Sequence, residues 1–119
     1  MLVSLGFYPA TPAMAAQVQP VIYTIFTAPT IVEAYAVKYG IPAKPLIDTL
    51  SCESHFNASA IGDKGKSFGV AQIHLPSHPN ITKEQALDPL WAIDWTAQQF
   101  KAGKAKMWTC YRILYPGSA

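Results

Sequence analysis

A chain of 119 residues, half of them apolar and only 13% charged, is long enough for one domain with a core and too apolar for a disordered segment. Its formal net charge of +2 suits a polyanionic surface such as a bacterial wall but is too small to argue for nucleic acid. No Lys/Arg-rich run, paired-cysteine metal motif or phosphate-cradling glycine loop is present.

Residues 1–29 are rich in Pro, Ala and Thr and lack periodicity, which predicts a leader or linker with little fixed structure. Their start, "MLVSLGFYPATPAMAAQ", has the outline of a degenerate export signal. An apolar stretch precedes a small-residue site at Ala13, Met14 and Ala15, but a positive first segment is missing and Pro9 and Pro12 interrupt the run. The apolar stretch from Val21 to Val37 is broken by Pro29 and Glu33, which excludes a membrane span.

The domain, residues 30–119, is predicted to open on a helix. Thr30 and Glu33 have capping-box spacing, Gly40 supplies the stop, and Ile31, Ala34 and Tyr35 separate from wetter positions near Lys38. A second helix follows from Lys44, with Pro45 in its first turn and Leu46, Ile47, Leu50 and Ser54 at core-facing spacings. Asn57 ends it, which puts Glu53 in the last turn.

Gly62, Gly65 and Gly69 then punctuate the chain too often for a helix and predict an irregular loop or small β-hairpin between Ala60 and Leu75. A turn, "LPSHPN", leads to a short helix capped by Thr82 and Gln85. The longest helix is capped by Asp88, opened by Pro89 and striped by Leu90, Ile93, Ala97 and Phe100 up to Gly103. "MWTCYRILY" gives a closing helix. The fold class is mostly α, with a short β element after the glutamate helix.

Glu53 has a chemically loaded position. Carbonyl dipoles at a helix C-terminus disfavour a carboxylate, Phe56 is close, and no basic residue shares the turn; all three favour the protonated acid. Cleaving a glycosidic bond requires such a proton donor. Most glycosidases also need a second carboxylate, and the nearest in sequence are Asp48 and Asp63. His74 and His78 flank a turn without an evident third ligand, so no metal and no cofactor is expected. Trp91, Trp95 and Trp108 read as core.

Glu53, Ser54, Phe56, Asn57 and Ala60 spell E-S-x-F-N-x-x-A, and Gly65, Ser67, Gly69, Gln72 and Ile73 spell G-x-S-x-G-x-x-Q-I. This order resembles the lytic transglycosylase domain family (soluble lytic transglycosylase, goose-lysozyme-like) from about Ile31 to Tyr115. Arg112 stands where the family's late motif has asparagine, and Val70-Ala71 replaces its usual Leu-Met. The resemblance implies a peptidoglycan lytic transglycosylase acting on the MurNAc–GlcNAc β-1,4 bond. Glu53 would be its acid and then its base, the product a 1,6-anhydro sugar, and no second carboxylate would be needed.

Ser54, Ser67, Gly69, Gln72 and Tyr111 are the implied substrate-binding positions. Ser54 would orient the carboxyl or simply bond back to its helix, Gln72 would donate to an acetamido or hydroxyl group, and the glycines would let backbone approach a sugar chain. Tyr111 is equally readable as core.

Two other readings compete: a lysozyme-type hydrolase with Asp63 or Asp88 positioning water, and a non-catalytic wall-binding or virion module of the same fold. The expected partner is the peptidoglycan glycan strand, with no nucleic acid and no integral membrane segment. The expected location is extracytoplasmic (secreted, periplasmic or virion-associated), and the chain is expected to be a monomer unless built into a larger assembly. Cys52 and Cys110 are either free buried thiols or one disulfide. In this fold type the closing helix packs on the glutamate helix, which brings the two sulfurs within bonding range.

Overall fold

The computed structural model describes residues 21–118, so the expected export signal lies outside the described residues. Five helices surround a small sheet: α1 (Ala28–Tyr39), α2 (Ala43–Ser54), β1 (Ile61–Gly62), β2 (Ser67–Phe68), β3 (Ile73–His74), α3 (Lys83–Leu87), α4 (Pro89–Lys101) and α5 (Thr109–Leu114). Short 3-10 turns at Leu75–Ser77 and Ala105–Met107 precede α3 and α5. The architecture is the expected one, mostly α with a small β element.

Helix α1 starts two residues before the expected domain start. Thr27 holds the N-cap position and Pro29 lies in the first turn, where its missing N–H and fixed φ are tolerated. Thr30 is therefore inside the helix, and the expected Thr30–Glu33 capping box does not form. The buried face is Ala28, Val32 and Ala36 rather than Ile31, Ala34 and Tyr35, because the alanines let α1 lie close against α2 and α4. Gly40 ends the helix as expected, at φ 66°, with its N–H reaching the carbonyls of Ala36 and Val37.

Helix α2 buries Leu46, Thr49, Leu50 and Ser54 and carries Pro45 in its first turn. It stops at Ser54, short of the expected Asn57, because His55 and Phe56 both turn left-handed, at φ 55° and 61°. Two such non-glycine residues in succession are unfavourable on their own. They are held from outside: the Tyr23 hydroxyl donates to the Phe56 carbonyl at 2.6 Å, which ties residues before α1 to the end of α2.

The segment after α2 is a three-stranded antiparallel meander in the order β1-β2-β3, each strand two residues long. Ile61 pairs with Phe68 and Gly62 with Ser67, and then Phe68 pairs with Ile73 and Ser67 with His74. Phe68, Val70, Ala71 and Ile73 join the core that Leu46, Leu50, Ile93 and Ala97 fill from the helices.

The α3 cap is the expected reciprocal box: Gln85 N–H donates to Thr82 Oγ1 at 3.0 Å, and Thr82 N–H donates to Gln85 Oε1 at 2.9 Å. Asp88 Oδ1 accepts from the N–H groups of Leu90 and Trp91 at the head of α4. On α4 the buried stripe is Ala92, Ile93, Thr96 and Ala97, with Leu90 and Phe100 half-buried at its margins.

Helix α5 packs on α2, and Cys52 and Cys110 are joined in a disulfide with their Cα atoms 5.9 Å apart. Of the two sequence readings of these cysteines, the bridge is the one realised. It closes a loop of 58 residues, worth about 4 kcal/mol in the chain-entropy treatment. Among the described residues no helix is long and apolar enough to cross a membrane.

Candidate active site

Two helix ends meet at Glu53. It sits in the last turn of α2, and its Oε2 accepts the backbone N–H of Cys110 at 3.1 Å. Cys110 is the second residue of α5, so this N–H is one that no intrahelical carbonyl can satisfy. Glu53 Oε1 has no hydrogen-bond partner among the described residues, and the half-buried side chain lines a cleft of about 520 Å³.

Burial pushes the Glu53 pKa above the ordinary glutamate value, and the nearby negative charge of Asp63 adds to this. The Cys110 N–H and the positive charge of Arg112 pull the other way without cancelling it. A carboxyl anchored by one oxygen, with its pKa raised by burial and its other oxygen unengaged, has the elements of a general acid.

The rest of the cleft wall comes from three places. Asp63, Gln72, Ile73 and His74 come from the meander and its turns, and Ser77 and His78 come from the next turn. Trp95 comes from α4, and Met107, Trp108 and Thr109 come from the approach to α5.

The expected binding residues divide sharply. Gln72 lines the cleft, but its Nε2 donates to the carbonyls of Ala60 at 3.1 Å and Gly69 at 3.0 Å. Both amide hydrogens are thereby used inside the meander, leaving none for an acetamido group or a hydroxyl. Its backbone is left-handed at φ 49°, and its Oε1 lies so near Gly62 that a Cβ there would come within 2.3 Å.

Ser54 is not part of the cleft wall and does not touch the Glu53 carboxyl. Its hydroxyl lies 2.7 Å from the Val70 carbonyl and 3.3 Å from the Leu50 carbonyl, fastening α2 to the segment between β2 and β3. Ser67 is fully buried and donates to Asp63 Oδ2.

Gly69 faces protein, not the cleft: at φ 81°, an added Cβ would sit 1.9 Å from the Ala86 carbonyl oxygen of α3. Tyr111 lies in a separate groove, edge-on to Phe100 at 5.5 Å and stacked on Tyr115 at 5.2 Å. Of the five expected contacts, only Gln72 shares the cleft with Glu53.

Asp63, weighed as a water-positioning group, is in the cleft and stands in a left-handed turn with Lys64 and Gly65. Asp88, its counterpart in that reading, is a helix cap and is absent from the wall. Asp48 is occupied by Lys44 and the Tyr115 hydroxyl, each at 2.7 Å.

Most of the wall escaped sequence reasoning as site residues, His74, His78, Trp95 and Trp108 among them. Trp108 Nε1–H donates to the Ala71 carbonyl at 2.8 Å, which pins the chain before α5 to the meander. Trp95 meets Trp108 at 5.7 Å and His78 edge-on at 5.1 Å. The same apolar spacing on α4 serves core and cleft alike, so periodicity could not separate them.

His74 Nδ1 lies 2.8 Å from Ser77 Oγ, while burial and the neighbouring His74 lower the pKa of His78. No cluster of three His, Cys, Asp or Glu suited to a metal ion occurs among the described residues. Compared with known protein families, curated proteins and solved structures, the chain finds no match.

Proposed function

We propose that this chain cleaves the MurNAc–GlcNAc β-1,4 bond of peptidoglycan glycan strands as a lytic transglycosylase. The observation that carries the reading is the Glu53 carboxyl: anchored through one oxygen, raised in pKa by burial and open to a cleft through its other face. In the proposed reaction Glu53 donates its proton to the glycosidic oxygen as the bond to C1 breaks. The C6 hydroxyl of the same sugar then bonds to C1, and its proton returns to Glu53 Oε1. Acid becomes base, no water is consumed and a 1,6-anhydro end results.

The resemblance of the Glu53–Ala60 and Gly65–Ile73 segments to the transglycosylase family supplies the substrate class. The cleft wall adds apolar surface suited to a sugar face in Trp95 and Met107. An extracytoplasmic setting belongs to the same proposal, and the Cys52–Cys110 bridge is consistent with it, since disulfides persist in oxidising compartments.

One observation favours a second reading, hydrolysis. Asp63 lines the same cleft, held by the Ser67 hydroxyl, where it could orient a water. Mass spectrometry of fragments from purified wall separates the two: anhydro ends are one water lighter than reducing ends. Anhydro ends produced by the wild type and not by Glu53→Gln are the expected outcome. Reducing ends would assign hydrolysis, and wall binding without any cleavage would leave a non-catalytic module.

A further inference from the structure

Charge is unevenly placed along this chain. Four of its nine Lys and Arg residues, Lys101, Lys104, Lys106 and Arg112, follow Asp94, and none of its seven Asp and Glu residues does. The carboxyl end is thus basic, while the chain before it is net acidic. Lys101, Lys104 and Lys106 are exposed, and none has an acidic partner among the described residues. Arg112 is engaged locally, donating to the Lys106 carbonyl and to Thr109 Oγ1.

These cations border the groove that holds Tyr111. It has a volume of about 230 Å³ and runs between the start of α2, the end of α4 and the approach to α5. Its wall is apolar and aromatic, with Ile41, Pro42, Pro45, Phe100 and Tyr111, and Lys106 adds a positive charge. Lys104 follows Gly103 of the wall, and the Lys101 ammonium would lie 4.0 Å from a Cβ on Gly40, which leads into Ile41. Among the described residues no carboxylate lines the groove; Asp48 on α2 is already held by Lys44 and the Tyr115 hydroxyl.

The chain between α4 and α5 serves both concavities. Ala105, Lys106 and Tyr111 line the groove, whereas Met107, Trp108 and Thr109 line the cleft at Glu53. Lys106 and Thr109 are three positions apart, so their backbones lie within about 11 Å of each other. A strand held at Glu53 is thereby close to the groove.

We propose that this groove takes the short acidic peptide that a wall glycan carries. Its small apolar side chains would lie on Pro42, Phe100 and Tyr111 and its carboxylates against Lys104 and Lys106. The source of the peptide rests on the reading of Glu53 given above. Three observations select this occupant. A basic rim without a carboxylate complements free carboxylates. A floor of prolines and aromatic rings suits peptide side chains, whereas a phosphodiester polymer has no apolar side chains to set there. The volume lies below the roughly 300–1,000 Å³ of sites that enclose a small molecule, which fits a short length of chain.

The test is isothermal titration calorimetry of the full chain with stem peptides released from purified wall by an amidase. The same peptides with amidated carboxylates, and inorganic polyphosphate, are run beside them. The stem peptides are expected to bind. Amidation, or Lys104→Gln/Lys106→Gln, should weaken binding by roughly tenfold, for two exposed ion pairs. Both lysines are exposed, so melting temperature should be unchanged. Lys64→Gln/Lys66→Gln removes the same charge from the Asp63–Lys66 turn and should leave binding as it was.

No binding of stem peptides by the wild type would overturn the proposal. So would equal affinities of the two lysine variants, or undiminished binding of the amidated peptides. Polyphosphate binding tighter than the peptides, and lost in Lys104→Gln/Lys106→Gln, would make the groove a general polyanion site instead. Free peptides contain no glycosidic bond, so Glu53→Gln should bind them as the wild type does. Peptide binding without wall cleavage would keep the groove and remove the enzyme; cleavage without peptide binding would do the reverse.

Discussion

The helical body and the cleft side of this molecule are built on opposite terms. In the body, α1, α2 and α4 bury apolar side chains and start and stop at prolines, an Asp cap and Gly40. The cleft side, from His55 to His78, is held by polar links: Ser54 to Val70, Ser67 to Asp63, Gln72 to Ala60 and Gly69, and Trp108 to Ala71. All five non-glycine residues with left-handed backbone among the described residues fall between His55 and Gln72, at a cost of order 1–2 kcal/mol each. The body supplies the free energy that lets the cleft side hold conformations its own residues disfavour.

The comparison breaks most visibly at Glu53. Glu53→Gln should lower wall cleavage by about 10²–10⁴-fold, since the amide cannot donate the proton. The fold should survive, because the amide oxygen can still accept the Cys110 N–H. Stability carries a sign of its own. With its folded pKa raised, Glu53 favours the folded state below the unfolded pKa, and that contribution is lost as pH rises through the folded pKa. The variant should therefore melt at or above the wild-type temperature at neutral pH, with the difference narrowing in acid. Scanning calorimetry at several pH values measures it. Activity should likewise fall as pH rises through the Glu53 pKa, and an activity profile flat across the weakly acidic range would remove Glu53 as the acid.

Next in size is the disulfide. Replacing both cysteines by serine should cost about 4 kcal/mol, a melting temperature lower by about 20 °C for a domain of this size. Catalysis should suffer before global unfolding, because α5 supplies the N–H that anchors Glu53. An activity that outlasts the loss of the bridge would separate the cleft from its covalent frame.

Gly69→Ala tests the seam between the two regions. It should destabilise by roughly 3 kcal/mol or more, since φ 81° disfavours a side chain and the Cβ would overlap the Ala86 carbonyl. Denaturant unfolding checks it, and a loss below about 1 kcal/mol would mean that α3 yields easily.

The smallest expected effect lies in the body. Thr49 Oγ1 is buried without a partner among the described residues, so Thr49→Val should be neutral or stabilise by up to about 1 kcal/mol in the same assay.

The same division explains what could be read in advance. Asp88-Pro89, Thr82 with Gln85, and Gly40 announce helix ends because their chemistry is local, and each acts at its expected place. Pro29 misled because a proline fits a first turn as well as a linker, and the choice depends on what α1 packs against. The position of Glu53 in the last turn of α2 was legible, as was its raised pKa. Its anchor on Cys110 was not, because that contact spans 57 positions and involves a backbone atom. Gln72, Ser67 and Gly69 were read as substrate-binding positions, whereas their contacts lie within the protein. Their tasks are to close hairpins, hold Asp63 and admit α3, and none of these can be told from sugar binding by spacing alone.

The bridge between Cys52 and Cys110 makes one covalent ring of the meander, the cleft wall, α3 and α4, while α1 lies outside it. A single peptide bond severed within the ring, as in the exposed turn at Asp63–Lys66, releases no fragment. The two pieces stay linked through sulfur. They part only in a reducing gel. Damage at this exposed turn therefore stays hidden until the bridge is opened.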